Sequence, residues 1–270
     1  ALGRFVGKTS LGDVEIDATM SELFVASFHD GRIHRYAVPD GTALGAFEHG
    51  AAGEPWAANA RLMGLGYRDG WLYHGVVDSR ERSELAGSLS GRVYRSRDDG
   101  SELTEVATFP LDYRREAPWE AWNDAYAGAP QVPQAPEHFQ PLISDIEFRP
   151  DGTPILGLRN RGDQNCFAGL PGDALPSRPD DPDHWTVVTD PEWYRDNLYR
   201  DPPYIDVSEG LYGGLAAFPG RDRLVATAHS PLGRAWLEYG AVWFDNTTGG
   251  IAGPADGREL LTDNECQSMG

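Results

Sequence analysis

Hydrophobic and polar residues alternate along much of the chain with a period of two, which predicts short β-strands. Residues 140–163 show the pattern clearly, with the sequence QPLISDIEFRPDGTPILGLRNRGD. The first apolar run fits a strand, RPDG fits a tight turn, and TPILGLRN fits a second strand. The segment therefore predicts a β-hairpin whose first strand carries two carboxylates, Asp145 and Glu147.

The same order of strand, turn and strand recurs four times along the chain. Its copies are SELFVASFHDGRIHRYAVPDG (21–41), ARLMGLGYRDGWLYHGVVDS (60–79) with GRVYRSRDDG (91–100), the hairpin above, and GGLAAFPGRDRLVATAHS (213–230) with GAVWFDNTTGG (240–250). One blade of a β-propeller is built in this order, and repeats of about 40–50 residues fit about five or six blades into the chain. We predict an all-β fold, a single β-propeller domain over residues 1–270 with five or six blades, long irregular loops and little helix. A β-sandwich is the competing fold.

Two loop segments rich in tryptophan and tyrosine, 118–128 and 190–201, have helix-like spacing and are predicted to form one or two helical turns. Aromatic side chains in loops either pack between blades or form the floor of a groove for a sugar or a protein partner. Both alternatives are open for the candidate binding residues, which are Trp119, Trp122, Trp185, Trp193, Tyr194 and Tyr199.

Two pairs of acids with the same spacing are the candidate metal ligands. Asp13 and Glu15 lie in LGDVEI, and Asp145 and Glu147 lie in ISDIEF. Because the first strand of each blade lines the central channel, these carboxylates could converge on Ca2+, which prefers oxygen ligands. Alternatively, they accept hydrogen bonds from backbone amides of the neighbouring blade. The corresponding strand in GLYGGLA (210–216) carries glycine, which implies close backbone approach and breaks a symmetric ring of acids.

The charge balance limits the partners. With 42 acidic and 23 basic side chains the net charge is −19, so nucleic acid and anionic membrane surfaces are repelled. No apolar run approaches the roughly 18 residues of a membrane span, so we expect no membrane insertion. The two cysteines, Cys166 and Cys266, are too few for a disulfide scaffold, and whether they pair is open.

Familiar catalytic motifs are missing from the sequence. It contains no H-E-x-x-H zinc motif, no G-x-S-x-G nucleophile elbow, no P-loop and no dinucleotide-binding glycine pattern. The tripeptide RGD at 161–163 is interpreted as a chance match to a cell-adhesion motif.

Ordered motifs from Gly7 to Gly250 resemble one family. They are VGKTSLGDVEIDATMSELFVASFHDGRIHRY, GWLYHGVV, GRVYRS, FPLDYRRE, LISDIEFRPDGTPILGLRNR, GGLAAFPGRDRLVATAHSP and GAVWFDNTTGG. The chain is similar to a propeller-like region of large bacterial secreted and cell-surface proteins that often carry SdrD B-like repeat modules. The resemblance implies a secreted or cell-surface location, membership of a longer chain, and no established reaction. The sequence departs from the family pattern at LRNRGDQNC and at GLYGGLA.

The leading functional hypothesis is an extracellular structural or binding module in adhesion or surface assembly, with Ca2+ as its candidate ion, and not an enzyme. Its partner would be a protein or carbohydrate surface, or another copy of the chain. The alternative is a metal-dependent, lactonase-like propeller hydrolase, in which Asp13, Asp145 and another acid hold the cation and a carboxylate or histidine acts as the base. A third hypothesis is a polysaccharide lyase that uses His74 and Tyr73.

Overall fold

The computed structural model describes thirteen stretches of the chain. They are residues 7–84, 87–115, 118–124, 138–161, 172–181, 183–190, 193–194, 199–201, 205–207, 210–218, 220–229, 239–252 and 261–262. All structural statements below concern these residues. Cys166 and Cys266 lie outside them, so the structure does not bear on whether they pair.

Eighteen β-strands account for nearly all of the regular structure. They are β1 (Leu11–Ile16), β2 (Glu22–Ser27), β3 (Arg32–Ala37), β4 (Ala43–Glu48), β5 (Ala60–Arg68), β6 (Trp71–Asp78), β7 (Ser90–Ser96), β8 (Thr104–Pro110), β9 (Pro141–Phe148), β10 (Pro154–Asn160), β11 (Asp173–Asp181), β12 (His184–Val187), β13 (Tyr199–Asp201), β14 (Ile205–Val207), β15 (Leu211–Ala217), β16 (Arg223–His229), β17 (Tyr239–Asp245) and β18 (Leu261–Thr262). One 3-10 turn, Ala57–Asn59, is the helical element of the described residues.

Most of the strands form four antiparallel sheets of four strands each. The strands pair in chain order within each sheet, giving blade 1 (β1–β4), blade 2 (β5–β8), blade 3 (β9–β12) and blade 4 (β15–β18), and β13 pairs with β14 as a separate hairpin. The first strands of successive blades contact one another, β1 with β5, β5 with β9, and β9 with β15. The first strands are therefore innermost. The fold is an all-β propeller with little helix, as predicted, but the predicted count of five or six blades is not confirmed.

Tight turns close the hairpins where the sequence indicates them. Between β5 and β6, Asp69 and Gly70 have φ values of 52° and 76°. Two consecutive positive φ angles match a type I′ turn, which suits the twist of an antiparallel pair. In the predicted hairpin of β9 and β10, Gly152 has φ 92° and its N–H bonds the Arg149 carbonyl at 2.9 Å. Turn chemistry therefore fixes where each strand ends.

The hydrophobic core consists of three clusters, one at each contact between successive blades. Phe24 and Ile33 of blade 1 pack with Leu65 and Val76 of blade 2. The second cluster joins blades 2 and 3 through Tyr73, Val77, Val93, Ile143, Ile146, Leu156 and Trp185. The third joins blades 3 and 4 through Ile155, Leu211, Leu224 and Phe244. Each contact between successive blades thus has its own core cluster.

The two loop segments predicted to be helical differ from that prediction where they are described. Residues 118–124 contain no helix, and Trp119 instead forms a parallel β-bridge with Phe139. In the second segment, residues 199–201 form strand β13. The aromatic spacing in these loops follows tertiary packing rather than a helical repeat, since Trp119 and Tyr194 are both buried.

Candidate functional site

The four acids singled out in the sequence lie at equivalent places on β1 and β9. We call Asp13, Glu15, Asp145 and Glu147 the inner-strand acids. Both strands are irregular at the acids: the register of β1 against β2 shifts between Leu11 and Val14, and that of β9 against β10 shifts between Ile143 and Asp145. An extra residue in one strand of a pair bends the strand and redirects side chains. The repeated sequence therefore produces the same local distortion twice.

Each aspartate reaches the inner strand of the following blade. Asp13 Oδ2 accepts a hydrogen bond from the Leu65 N–H of β5 at 2.9 Å. Asp145 Oδ2 accepts one from the Leu215 N–H of β15 at 2.6 Å. The glutamates repeat the contact two residues further on, because Glu15 accepts from the backbone of Tyr67 and Glu147 from that of Ala217. We call each of these arrangements an acid clasp.

The inner-strand acids share a poorly solvated region and repel one another. All four are half-buried. Burial, with the nearby charges of Asp13 and Glu147 as smaller causes, raises the pKa of Glu15 to about 7. Burial is also the main cause that raises the pKa of Asp145 well above its usual value, followed by repulsion from Asp13. The pKa values of Asp13 and Glu147 are raised by burial as well.

This electrostatic pattern gives the region acid–base capacity near neutral pH. A carboxyl group with a pKa of about 7 exchanges its proton readily there, and a neighbour whose pKa is also raised can donate a proton. Their mutual coupling means that removal of one charge changes the proton affinity of the others.

The predicted calcium site is not confirmed. Among the described residues, no group of three or more His, Cys, Asp or Glu side chains is arranged to hold a metal ion. One oxygen of Asp13 and one of Asp145 already accept a backbone N–H from the next blade. The donor set has the oxygen chemistry that Ca2+ prefers, but its geometry is that of two separate clasps.

The glycine-bearing strand β15 approaches its neighbour as closely as its sequence indicates. Ser144 Oγ donates a hydrogen bond to the Gly213 carbonyl at 2.9 Å. A methyl group placed on Gly157 would lie 2.2 Å from the same carbonyl oxygen. Blade 4 therefore completes the second acid clasp and adds no acid of its own at this position.

Most of the candidate binding aromatics lie in the core. Trp119, Trp122, Trp185 and Tyr194 are all buried. Trp185 stacks on Tyr73 with ring centroids 5.0 Å apart, and Tyr194 donates a hydrogen bond to Asn246 Oδ1 at 2.8 Å. Trp193 is half-buried against the third cluster. These contacts match packing between blades rather than the floor of a binding groove. The side chain of Tyr199 is not among the described parts of the chain.

The residues of the proposed lyase do not face solvent. His74 is fully buried between the rings of Phe47 and Tyr94, and Tyr73 belongs to the second core cluster. Burial keeps both side chains away from a substrate, so this pair does not support the lyase hypothesis. Arg161, the first residue of RGD, is also buried, with its guanidinium over the Trp122 ring and bonded to Gln140 and Asp124.

Sequence reasoning missed the backbone groups that hold the inner-strand acids. Leu65 and Leu215 stand at equivalent places in MGLGYRDG and GGLAAFPG, so an alignment of β5 with β15 could have paired them with the acids. It also missed a buried ion pair between Arg115 and Asp173, 3.2 Å apart, which Tyr113 joins by a hydrogen bond. These residues are far apart in sequence and no local pattern joins them.

Comparison with known proteins identifies no family for this chain. No family model matches the sequence, and no curated protein matches it. A solved structure described as a 6-phosphogluconolactonase from Bacteroides uniformis is 16% identical, with a TM-score of 0.45, over 94% of this chain and 55% of that one. A protein described as a gluconolactonase is 13% identical, with a TM-score of 0.47, over 93% and 62%.

A third similar structure is the calcium-binding protein regucalcin from Agrobacterium tumefaciens, 11% identical with a TM-score of 0.43, over 92% of this chain and 58% of that one. The chain thus spans about half to three fifths of the length of these proteins. At such identities and TM-scores the likeness carries no conclusion about this chain. Within the described residues no helix is long and apolar enough to cross a membrane.

Proposed function

We propose that this propeller is a hydrolase that opens lactone-type esters at the inner-strand acids. The observation that carries the proposal is the grouping of four half-buried carboxyls, one of which, Glu15, has its pKa raised to about 7. A carboxylate with such a pKa is matched to work as a general base at neutral pH. Strong perturbation of several acids in one region is characteristic of functional sites.

In the proposed reaction, the Glu15 carboxylate takes a proton from a water molecule as the water oxygen attacks the ester carbonyl. The ring C–O bond then breaks, and the leaving alkoxide takes a proton from a neighbouring carboxyl. Asp145 fits that second role because burial and the charge of Asp13 favour its protonated form. Two carboxyl groups with pKa values set apart by their surroundings can act as base and acid. The product is the hydroxy acid.

Calcium is not required by this reaction. The inner-strand acids would be the residues that hold Ca2+, and the ion would lower their mutual repulsion, but their arrangement is not that of a closed metal site. We therefore derive no step through a metal. The test below therefore also measures whether the activity depends on a bound cation.

The test is hydrolysis of a panel of aliphatic and sugar lactones by the wild-type chain and by Glu15→Gln and Asp145→Asn. We expect kcat/KM to fall by about 10²-fold or more in each variant. Wild-type activity should rise with pH through about 7 as Glu15 loses its proton, and it should survive dialysis against a chelator.

Glu48→Gln is the matched control, because Glu48 is an exposed glutamate on β4 that pairs with Arg32. Its activity should equal that of the wild type. A chain that hydrolyses none of these lactones, or a Glu15→Gln variant with full activity, would refute the proposed reaction.

The second candidate is the extracellular structural or binding module in adhesion or surface assembly. The acid clasps favour it, since an acid that holds the next blade in place has a structural task. Its secreted or cell-surface location and its protein or carbohydrate partner remain predictions. Under this alternative, the Asp145→Asn substitution lowers the melting temperature and the chain has no hydrolytic activity to lose.

A further inference from the structure

A pocket of about 220 Å³ lies between blades 1 and 2, at the end where their inner strands begin. It is lined by the segment before β1, by the turn between β2 and β3, and by the first residues of β5. The inner-strand acids are further along the strands and are not among its lining residues. The volume suits a small ligand, since pockets for drug-sized molecules measure about 300–1,000 Å³.

The lining combines two cationic side chains with an apolar wall. Lys8 and Arg61 supply the positive charge, and Phe28, Ala60 and Leu62 supply the carbon surface. A charged head group and a short apolar tail are the two parts of a small organic acid. The composition of the pocket therefore matches an organic anion better than an inorganic one.

A chain of ion pairs holds the two cations at the pocket. Glu81 bridges Lys8 and Arg61, one carboxylate oxygen to each. Asp124 accepts a hydrogen bond from Lys8 at 2.9 Å and another from the buried Arg161 at 2.7 Å. Three positive and two negative side chains leave this network one positive charge, in a chain whose net charge is −19.

The ring of Trp122 fixes the network in place. The guanidinium carbon of Arg161 lies 4.2 Å from its centroid and that of Arg61 lies 5.2 Å from it, which are cation–π distances. Gly7 has φ 68°, and a methyl group on it would lie 2.8 Å from the same ring, so glycine sets the position of Lys8. Side chains that are already held in place lose little freedom when a ligand binds.

Both cations keep hydrogen-bond donors for a ligand. An ammonium group has three N–H donors, and among the described residues Lys8 donates to Glu81 and Asp124. Arg61 Nη1 donates to two backbone carbonyls and Nη2 donates to Glu81. Its buried Nε has no partner in the described part of the chain. An acceptor at this place is favourable, because a buried donor without a partner is costly.

We propose that this pocket binds a short-chain organic monocarboxylate, with its carboxylate on Lys8 and Arg61 and its alkyl chain on Phe28 and Leu62. A monoanion balances the single positive charge of the network. A phosphate dianion would exceed that charge and would be repelled by the two carboxylates of the network. The inference does not depend on the proposed reaction.

The test is equilibrium dialysis of the 270-residue chain against labelled butyrate at neutral pH. We expect one butyrate per chain with a Kd of about 1 mM or below. Lys8→Gln should weaken the Kd by about tenfold or more, because one charge-assisted hydrogen bond is lost. The Lys8 side chain is 26% exposed, so this substitution leaves the core intact. Lys8→Arg keeps the charge and should retain the binding.

Arg178→Gln is the matched control, since Arg178 is an exposed cation on β11 that pairs with Asp180, and it should bind butyrate as the wild type does. Butyramide, which has the same shape without the charge, should not bind to the wild type. A wild-type Kd for butyrate weaker than about 1 mM overturns the proposal, as does a Lys8→Gln variant with wild-type affinity. Tighter binding of inorganic phosphate than of butyrate also overturns it.

Discussion

A histidine in the core sets one pH limit on the stability of the molecule. His74 lies between Phe47 and Tyr94, and neither of its ring nitrogens has a hydrogen-bond partner among the described residues. Burial, with the charge of His49 as a smaller cause, lowers its pKa to about 3. The folded state therefore holds His74 neutral, whereas the unfolded chain binds a proton near pH 6.5. Its contribution to stability is present above pH 6.5 and is lost as the pH falls toward 3.

His74→Phe should remove that loss. The ring contacts are kept and two unpaired buried nitrogens disappear, which is expected to raise the free energy of unfolding by about 1–3 kcal/mol. The gain should be larger at pH 5 than at pH 8. Urea unfolding at both pH values measures it, with the exposed His29→Phe as the control. An equal effect at both pH values would mean that His74 is protonated in the folded state or solvated.

At the scale of single residues, the sequence identified the inner-strand acids but not their partners. The repetition of D-x-E in β1 and β9 is a local signal, and it led to the correct residues. The backbone groups that bond them belong to the next blade, 52 residues away for Asp13 and 70 for Asp145. The loop aromatics were ambiguous for the same reason, because burial depends on chain segments that local pattern does not reveal.

The contact between β5 and β9 depends on Gly64 and Gly66, two residues of β5 that lack a side chain. A methyl group on Gly66 would meet the Ile146 carbonyl oxygen at 2.2 Å, so the strands would have to separate. We predict that Gly66→Ala lowers the free energy of unfolding by about 1–3 kcal/mol. Chemical denaturation measures this effect.

Gly53→Ala is the control, because a methyl group there has no atom within 4 Å. It should leave the free energy of unfolding nearly unchanged. Equal stability of the Gly66→Ala variant and the wild type would show that blades 2 and 3 are not in close contact at this point.

At the scale of elements, turn signals and period-two patterning predicted the strands well. RDG and PDG mark real hairpin turns, and the apolar runs beside them form strands β5, β6, β9 and β10. The helix-like spacing near Trp119 was misleading. An aromatic run without a capping pattern can satisfy several packing geometries, and here Trp119 pairs with Phe139 instead.

At the scale of the whole molecule, the propeller was predictable because each repeat is one blade. The contacts between blades were not, since the acid clasps join β1 to β5 and β9 to β15 over long separations in sequence. One architecture thus explains the raised pKa values at the inner strands.

The central claim is that acids from two separate blades share one poorly solvated region, and NMR titration of 13C-labelled glutamate carboxyls tests it most directly. We predict one glutamate that titrates near pH 7 in the wild type, is absent in Glu15→Gln, and titrates at lower pH in Glu147→Gln because one repelling charge is removed. If every glutamate titrates near its ordinary value of about 4.3, the inner-strand acids are separated and solvated, and the account of this site is contradicted.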